Sequence, residues 1–487
     1  MQRRDFLKTG AILSLSSIMP LNLFGEGFSD YKALVVIVLH GGNDGFNMII
    51  PTTSSGYDNY LTNRGTLAIS NEALNLPVDS NGKLSLSGGE DNPYYKNKSM
   101  VDSYKKGLYH TSVSGIGINP LMPEFAHLIN NQKVALVANM GMLHEPSTKN
   151  DLLSGKAKRP IYMYSHNSQR DLFYTGNSQN AGGRGWAGAL SDIWGDINNN
   201  EVYKLNMAID SASKLVYGDI TNPIVVSRGG PQKYSYIKDK ERELYDKLIQ
   251  ISDSSEFLKV YKDLKKKTFN YQDRLVTDWN SVDLSLNSTN SYGQALFSHM
   301  DENILGVAGK DKPGTKFIDR MKAILKLIKI GKESGLKRQI FFVTHEGYDT
   351  HGNQALTQGK LLRELSIGLY DFQTALDELG FSDSVTTFNI SDFGRSAGNN
   401  GDGSDHAWGS HYFVMGGAVK SGLYGTMPDL TLGGDDDITQ KGRIIPTISQ
   451  VQYYHTLLKW FGVDTSTIAR ILPEIDNFSI KDLGFMS

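Results

Sequence analysis

Cysteine is absent from all 487 residues. That one absence removes disulfides, thiolate metal ligands, iron–sulfur clusters and a cysteine nucleophile. Any metal must be held by His, Asp, Glu, Asn or carbonyl oxygen, a donor set that favours zinc, calcium, magnesium or manganese. An excess of either charge is also missing, since 50 Lys and Arg against 52 Asp and Glu leave a net −2. There is accordingly no electrostatic case for nucleic acid or for an anionic membrane surface as partner. Long hydrophobic runs are lacking too. The apolar stretch from Ala11 to Phe24 is interrupted by Ser14, Ser16, Ser17 and Pro20. It falls short of the ~20 residues that cross a bilayer, which argues against a permanent membrane span. No long repeat of fixed period is evident.

What the chain does have begins at its N-terminus. Arg3 and Arg4 are followed by Asp5, Phe6, Leu7 and Lys8 and then by the weakly apolar stretch, the pattern of a twin-arginine export signal. We expect residues 1–26 to be that signal, although no Ala-x-Ala cleavage site is visible near Gly25. The expected partner during export is the twin-arginine translocase, and the expected location is periplasmic or extracellular. That route carries folded proteins, often with a metal or cofactor already installed.

The remainder, residues 27–487, reads as one large domain. The run Ala33–Leu39 is β-branched and continuously apolar, as in a central strand buried on both faces of a parallel sheet. Further strands are expected at 134–138, near 203–209 and 223–227, and at 339–344, 385–390 and 412–415. Helices are expected at 121–131, 239–267, 317–330, 361–379 and 451–461. This alternation predicts an α/β fold, a doubly wound, mostly parallel sheet flanked by helices. Two polar stretches near 52–118 and 177–300, which carry 14 of the 24 Tyr, are expected to be cap insertions.

In open parallel sheets the ligand crevice lies beyond the carboxyl ends of the strands. Three expected strands end in clustered polar residues: Asn43 and Asp44; His345, Glu346, Asp349 and His351; and Ser391, Asp392 and Arg395, followed by Asp405, His406 and His411. Converging carboxylates repel one another unless a cation neutralises them. One or two divalent metal ions account for the pattern. Taken singly, each group is ordinary turn or surface chemistry; the recurrence at three strand ends carries the reading. A nucleophile is expected at Ser165, opening a helix that stops at Gly176, with Thr148 opening a similar short segment as its competitor. An oxygen nucleophile at a helix N-terminus gains from the helix dipole and from free backbone N–H groups. Ser is equally a common helix cap.

The blocks Leu39-His-Gly-Gly-Asn-Asp-Gly-Phe-Asn47, Ser165-His-Asn-Ser-Gln169, Tyr348-Asp-Thr-His-Gly-Asn-Gln354, Ser391-Asp-Phe-Gly-Arg395 and Gly403-Ser-Asp-His406 follow one another along the chain. With the signal, Gly416-Gly-Ala-Val419, Ile445-Pro-Thr447 and Trp460-Phe-Gly462, they resemble the exported bacterial family catalogued as domain of unknown function 1501. That family is grouped with the alkaline phosphatase-like superfamily of phosphatases and sulfatases. The resemblance implies metal ligation by Asp44, Asp349, His351, Asp392 and His406, with His411 as rival to the last. It implies Ser165 as the group that is phosphorylated or sulfated, and we expect His166 or Arg395 to assist. Phe393 stands where the superfamily's phosphatases carry histidine. The expected function is a metal-dependent hydrolase of phosphate or sulfate esters, acting on a small-molecule or glycan ester. The alternatives are a catalytically degenerate protein with a binding or cell-envelope assembly role, and a polysaccharide-binding module.

Overall fold

The computed structural model describes residues 27–86, 99–231, 239–250, 255–299 and 312–487. The expected signal at residues 1–26 therefore lies outside the described residues. Numbering only the strands of the main sheet, these are β1 (Lys32–His40), β2 (Val134–Gly141), β3 (Asn206–Ile209), β4 (Ile224–Val226), β5 (Arg338–Glu346), β6 (Val385–Ser391), β7 (Ser410–Met415), β8 (Gly422–Tyr424) and β9 (Ile448–Ser449). Their order is β8-β2-β7-β6-β1-β5-β3-β4, with β9 beside β2. Only β7 runs against the others. The sheet is thus mostly parallel, as expected.

β1 shows why. Residues Ala33 to Leu39 are all fully buried, and successive side chains point to opposite faces. Ala33, Val35, Ile37 and Leu39 enter one hydrophobic core, Leu34, Val36 and Val38 the other. The first core is closed by helices α1 (Pro123–Asn130), α4 (Lys316–Glu333) and α5 (Gln354–Glu378). The second is closed by α2 (His166–Thr175), α3 (Trp186–Trp194) and α6 (Gln450–Phe461). Each large aliphatic side chain so buried contributes about 1.5–3 kcal/mol, and helices on both faces make the sheet doubly wound.

The register fixes the site. Leu39 lies beside both Ser391 and His345, and His40 beside Glu346, so β1, β5 and β6 end level with one another. The loops after them emerge at one edge.

Several boundaries differ from expectation. α5 begins at Gln354, two turns before the apolar pattern at 361, because its first turns bury the polar Gln354 and Gln358 instead of apolar side chains. The expected 239–267 helix is two, Asp239–Gln250 and Glu256–Ser281, with residues 251–254 outside the described set. The Gly/Asn/Asp-rich segment after β6 is a two-stranded ribbon, Arg395–Asn399 against Ser404–His406, which sets His406 opposite Arg395. The stretch near 52–118 holds a small sheet ordered Ile49–Pro51, Ile116–Ile118, Leu108–His110 and Ala73–Leu74. The stretch near 177–300 supplies β3 and β4 to the main sheet, so it is not wholly peripheral. Among the described residues no helix is long and apolar enough to cross a membrane.

Candidate metal centre

Four side chains from three loops meet beyond the carboxyl ends of β5 and β6. Asp349 and His351 follow β5, His406 ends the ribbon after β6, and His166 opens α2. His166, Asp349 and His406 each offer one ligand atom, all within 4.8 Å of one another. Asp349 is the hub. Its Oδ1 lies 3.1 Å from His351 Nε2, 3.2 Å from His406 Nε2 and 2.8 Å from the Arg395 guanidinium. Its Oδ2 lies 3.4 Å from His166 Nε2.

The far side of each imidazole determines what the near side can do. His166 Nδ1 meets Asp392 Oδ2 at 2.9 Å, His351 Nδ1 meets Asp405 Oδ1 at 3.2 Å, and His406 Nδ1 meets the Tyr164 carbonyl at 2.9 Å. Carboxylates and carbonyls only accept, so every Nδ1 carries the proton and donates. In the neutral rings every Nε2 then presents a bare lone pair toward Asp349. His351 Nε2 and His406 Nε2 stand 2.8 Å apart, too close for two lone pairs without a proton or a cation between them. Among the described residues His166 Nε2 is buried with no hydrogen-bond partner. Histidines that donate one nitrogen to an acceptor and turn the other inward are the arrangement found around bound metals. Three imidazoles and a carboxylate suit zinc best among the divalent ions.

Electrostatics follow from these contacts. The hydrogen bond to Asp392 raises the His166 value above the ordinary imidazole range, against the pull of partial burial. Burial lowers His406 despite the Tyr164 carbonyl, which disfavours an extra proton on that ring. Partial burial pushes Asp349 up, but the hydrogen bond from Arg395 and its positive charge outweigh it and hold the carboxyl below its ordinary range.

Not every expected residue joins the centre. Asp44 is wholly buried and forms an ion pair with Arg64. Its Oδ2 also accepts from Gln354 Nε2 at 2.6 Å. Asp392 reaches the centre only through His166, with the Arg170 guanidinium 3.7 Å away. The second oxygens of both Asp44 and Asp392 are buried and have no partner among the described residues. Arg395, expected to assist catalysis, is fully buried between Asp349, the Gly41 carbonyl and Ser404. It anchors Asp349 instead of facing solvent. His411 turns away, accepting from the Asn139 N–H at 3.1 Å with its ring edge-on to Phe46; burial lowers it to about 3. His345 also turns inward, to Glu364 and Tyr348. Phe393 packs under His166 and His406, with ring centroids 4.8 and 4.6 Å away.

The two nucleophile candidates differ in what their hydroxyls do. Thr148 Oγ1 accepts from the Asp151 N–H and donates to the Asp151 carboxylate, a complete capping box. Ser165 is the N-cap residue of α2 but makes no capping hydrogen bond, and it is exposed. Among the described residues its hydroxyl meets only Ser168 Oγ, at 3.4 Å. Gly176 ends the helix in the left-handed conformation, as expected.

Three contributors escaped the sequence reading. Arg170 contacts His40 and Asn167 and approaches Asp392; its spacing of four from His166 puts both on one helix face and was the available signal. Asp405 is among the expected strand-end residues, but its pairing with His351 is a feature of the fold alone. The Tyr164 carbonyl has no sequence signal, because it acts through a backbone with φ +70°. That left-handed conformation is rare for an aromatic residue, and such strain costs about 1–3 kcal/mol.

Residues 332–451 match the family model described as "Protein of unknown function (DUF1501)", the family that the motifs resemble. No curated protein matches. Solved structures similar to this chain include the PsFucS1 sulfatase from Pseudoalteromonas sp. (9% identity, 100% of this chain and 76% of that one, TM-score 0.33). Another is a protein in the alkaline phosphatase superfamily from Vibrio parahaemolyticus (10% identity, 91% and 70%, TM-score 0.34). A third is the lipoteichoic acid synthase LtaP from Listeria monocytogenes (9% identity, 94% and 78%, TM-score 0.32).

Proposed function

We propose that this chain is an exported metal-dependent hydrolase of phosphate or sulfate esters, with Ser165 as nucleophile and one divalent cation held by His166, His351, His406 and Asp349. The observation that carries the proposal is the shared orientation of the three imidazoles, each donating at Nδ1 and turning Nε2 toward Asp349. A cation bound there would polarise an ester oxygen and favour the ionised form of a nearby hydroxyl.

The chain's own residues supply the rest. Ser165 lies between Tyr164 and His166, both of which touch the centre, and its hydroxyl is not consumed by a cap. The first turn of α2 turns unpaired backbone N–H groups toward an anionic substrate. Arg170, on the same helix and partly accessible, is the cation left to meet the ester's anionic oxygens, since Arg395 is enclosed. His166, expected as an assisting group, is counted here among the ligands. We assign export to a twin-arginine signal at residues 1–26, delivery to the periplasm or exterior, and substrate selection to the stretches near 52–118 and 177–300. The substrate class is a small-molecule or glycan ester.

The test begins with the metal content of the full chain purified after export, compared with His406→Ala and Asp349→Ala. About one divalent ion per chain in the parent and a large loss in both variants is the expected result. No metal in the parent sinks the proposal. Turnover of aryl phosphates against aryl sulfates then separates the reactions. Activity should vanish in Ser165→Ala and persist in Thr148→Ala.

A further inference from the structure

We infer that Arg443 is a positioning residue that holds His406 and the Ser165 turn in one arrangement. The inference rests on the reading of the His/Asp cluster as a cation site and adds a residue that the motifs do not include. Three contacts close a ring. The Arg443 guanidinium carbon stacks 4.0 Å from the centroid of the Tyr164 ring. Arg443 Nε donates to the His406 carbonyl at 3.0 Å. His406 Nδ1 donates to the Tyr164 carbonyl at 2.9 Å. Arg443 is itself anchored, its N–H donating to Asp437 Oδ1 at 3.0 Å, and Asp437 also accepts from the backbone of Gly433, Thr439 and Gly442.

The backbone at Tyr164 explains why a clamp is needed. At φ +70° it occupies a region that L side chains leave readily unless contacts hold them there. If Tyr164 relaxed to an extended conformation, its carbonyl would swing away from His406 Nδ1. His406 would lose the acceptor that fixes its tautomer and keeps Nε2 facing Asp349. Ser165, the next residue, would move with the same peptide. One side chain from the loop before β9 thus links the nucleophile's turn to a ligand's ring. A planar guanidinium can stack and donate at once, which an ammonium cannot.

The test uses the full chain and zinc alone, by competition with a chromophoric chelator, together with the visible spectrum of the cobalt(II)-substituted protein. Arg443→Ala should weaken zinc binding about 10–100-fold, the usual effect of losing an outer-sphere partner, and alter the cobalt spectrum while the thermal midpoint stays close to the parent's. Arg443→Lys, keeping a cation over the ring, should recover part of that affinity. Tyr164→Leu, which removes the stacking ring from the other side, should weaken binding in the same direction and guards against one variant that fails to fold. Lys441→Ala, an exposed neighbour, is the unchanged control. Parent-like zinc affinity and cobalt spectrum in both Arg443→Ala and Tyr164→Leu would overturn the inference. Absence of zinc binding in the parent would instead overturn the cation site itself, so the two failures are distinguishable.

Discussion

Asp44 offers the sharpest separation between a ligand and a structural anion. Both its side chain and that of Arg64 are completely buried. Arg64 also donates from Nε to Asn47 Oδ1 at 2.9 Å and from Nη1 to the Ser396 carbonyl at 2.7 Å. Replacing Arg64 with Met keeps most of the volume but leaves Asp44 a buried carboxylate with Gln354 as its remaining side-chain donor. Removing one partner of a buried pair costs about 3–5 kcal/mol. The unfolding entropy of about 2 cal/mol/K per residue makes a chain of this length lose roughly 1 °C per kcal/mol, so the midpoint should fall by about 3–5 °C. Asp44→Asn removes the charge and leaves the guanidinium its other acceptors, so its cost is smaller, about 1–3 kcal/mol. The double variant should recover part of the sum, by about 0.5–3 kcal/mol of coupling. Thermal scans at one fixed rate, paired with zinc content, read both quantities. Zinc content should stay at the parent value throughout. If Asp44→Asn abolishes zinc binding while its midpoint is unchanged, Asp44 is a ligand and the reasoning from its pairing with Arg64 is wrong.

Two further predictions concern buried titrating groups. His411 titrates at about 3 in the folded chain because burial disfavours its charge, below the ordinary 6.5. The unfolded chain takes up that proton first, so the stability is fully present above pH 6.5 and drains away as pH falls toward 3, by up to about 1.4 kcal/mol per unit. His411→Gln should flatten the pH dependence of the thermal midpoint between pH 6.5 and 4; an unchanged slope would contradict the assignment. Asp371 is shifted the opposite way, raised to about 8 by burial, while its Oδ2 accepts from the Phe297 N–H. The folded chain then holds a proton that the unfolded chain releases near pH 4, so stability falls as pH rises from about 4 to 8. Asp371→Asn keeps the acceptor and removes the ionisation, and should raise the midpoint more at pH 8 than at pH 4. A smaller gain at pH 8 would refute it.

The sheet was legible because its strands announce themselves locally. Ala33–Leu39 is apolar at every position, and only a strand buried on both faces needs that. The first two turns of α5 were not, because Gln354 and Gln358 are polar yet buried, as Arg363 and Glu364 are in the next turn. Each is buried only by virtue of a distant partner such as Asp44, Glu124 or His345. The site divides in the same way. Asp349, His351 and His406 sit in short motifs, and those motifs predicted a meeting that the loops deliver.

Expecting Asp44, Asp349 and Asp392 all to bind metal leaves out the protein's own cations, which no motif pairs with them. Arg64 lies on the helix Ser54–Arg64 inside a stretch read as cap, yet it neutralises Asp44. Asp392 meets His166 and, at longer range, Arg170, both from α2 and more than 200 residues earlier in the chain. Of the three strand-end carboxylates expected to bind metal, the two with no access to water, Asp44 and Asp392, have an arginine nearby, as the desolvation of a buried anion demands. Asp349, half exposed, instead shares its two oxygens among Arg395 and three imidazoles. A cation arriving from solvent would meet Asp349 first, and the three lone pairs around it face that carboxylate. Arg64 answers the charge of Asp44, and Arg170 with the Nδ1–H of neutral His166 answers that of Asp392, so repulsion among these carboxylates calls for no second cation beside the one proposed.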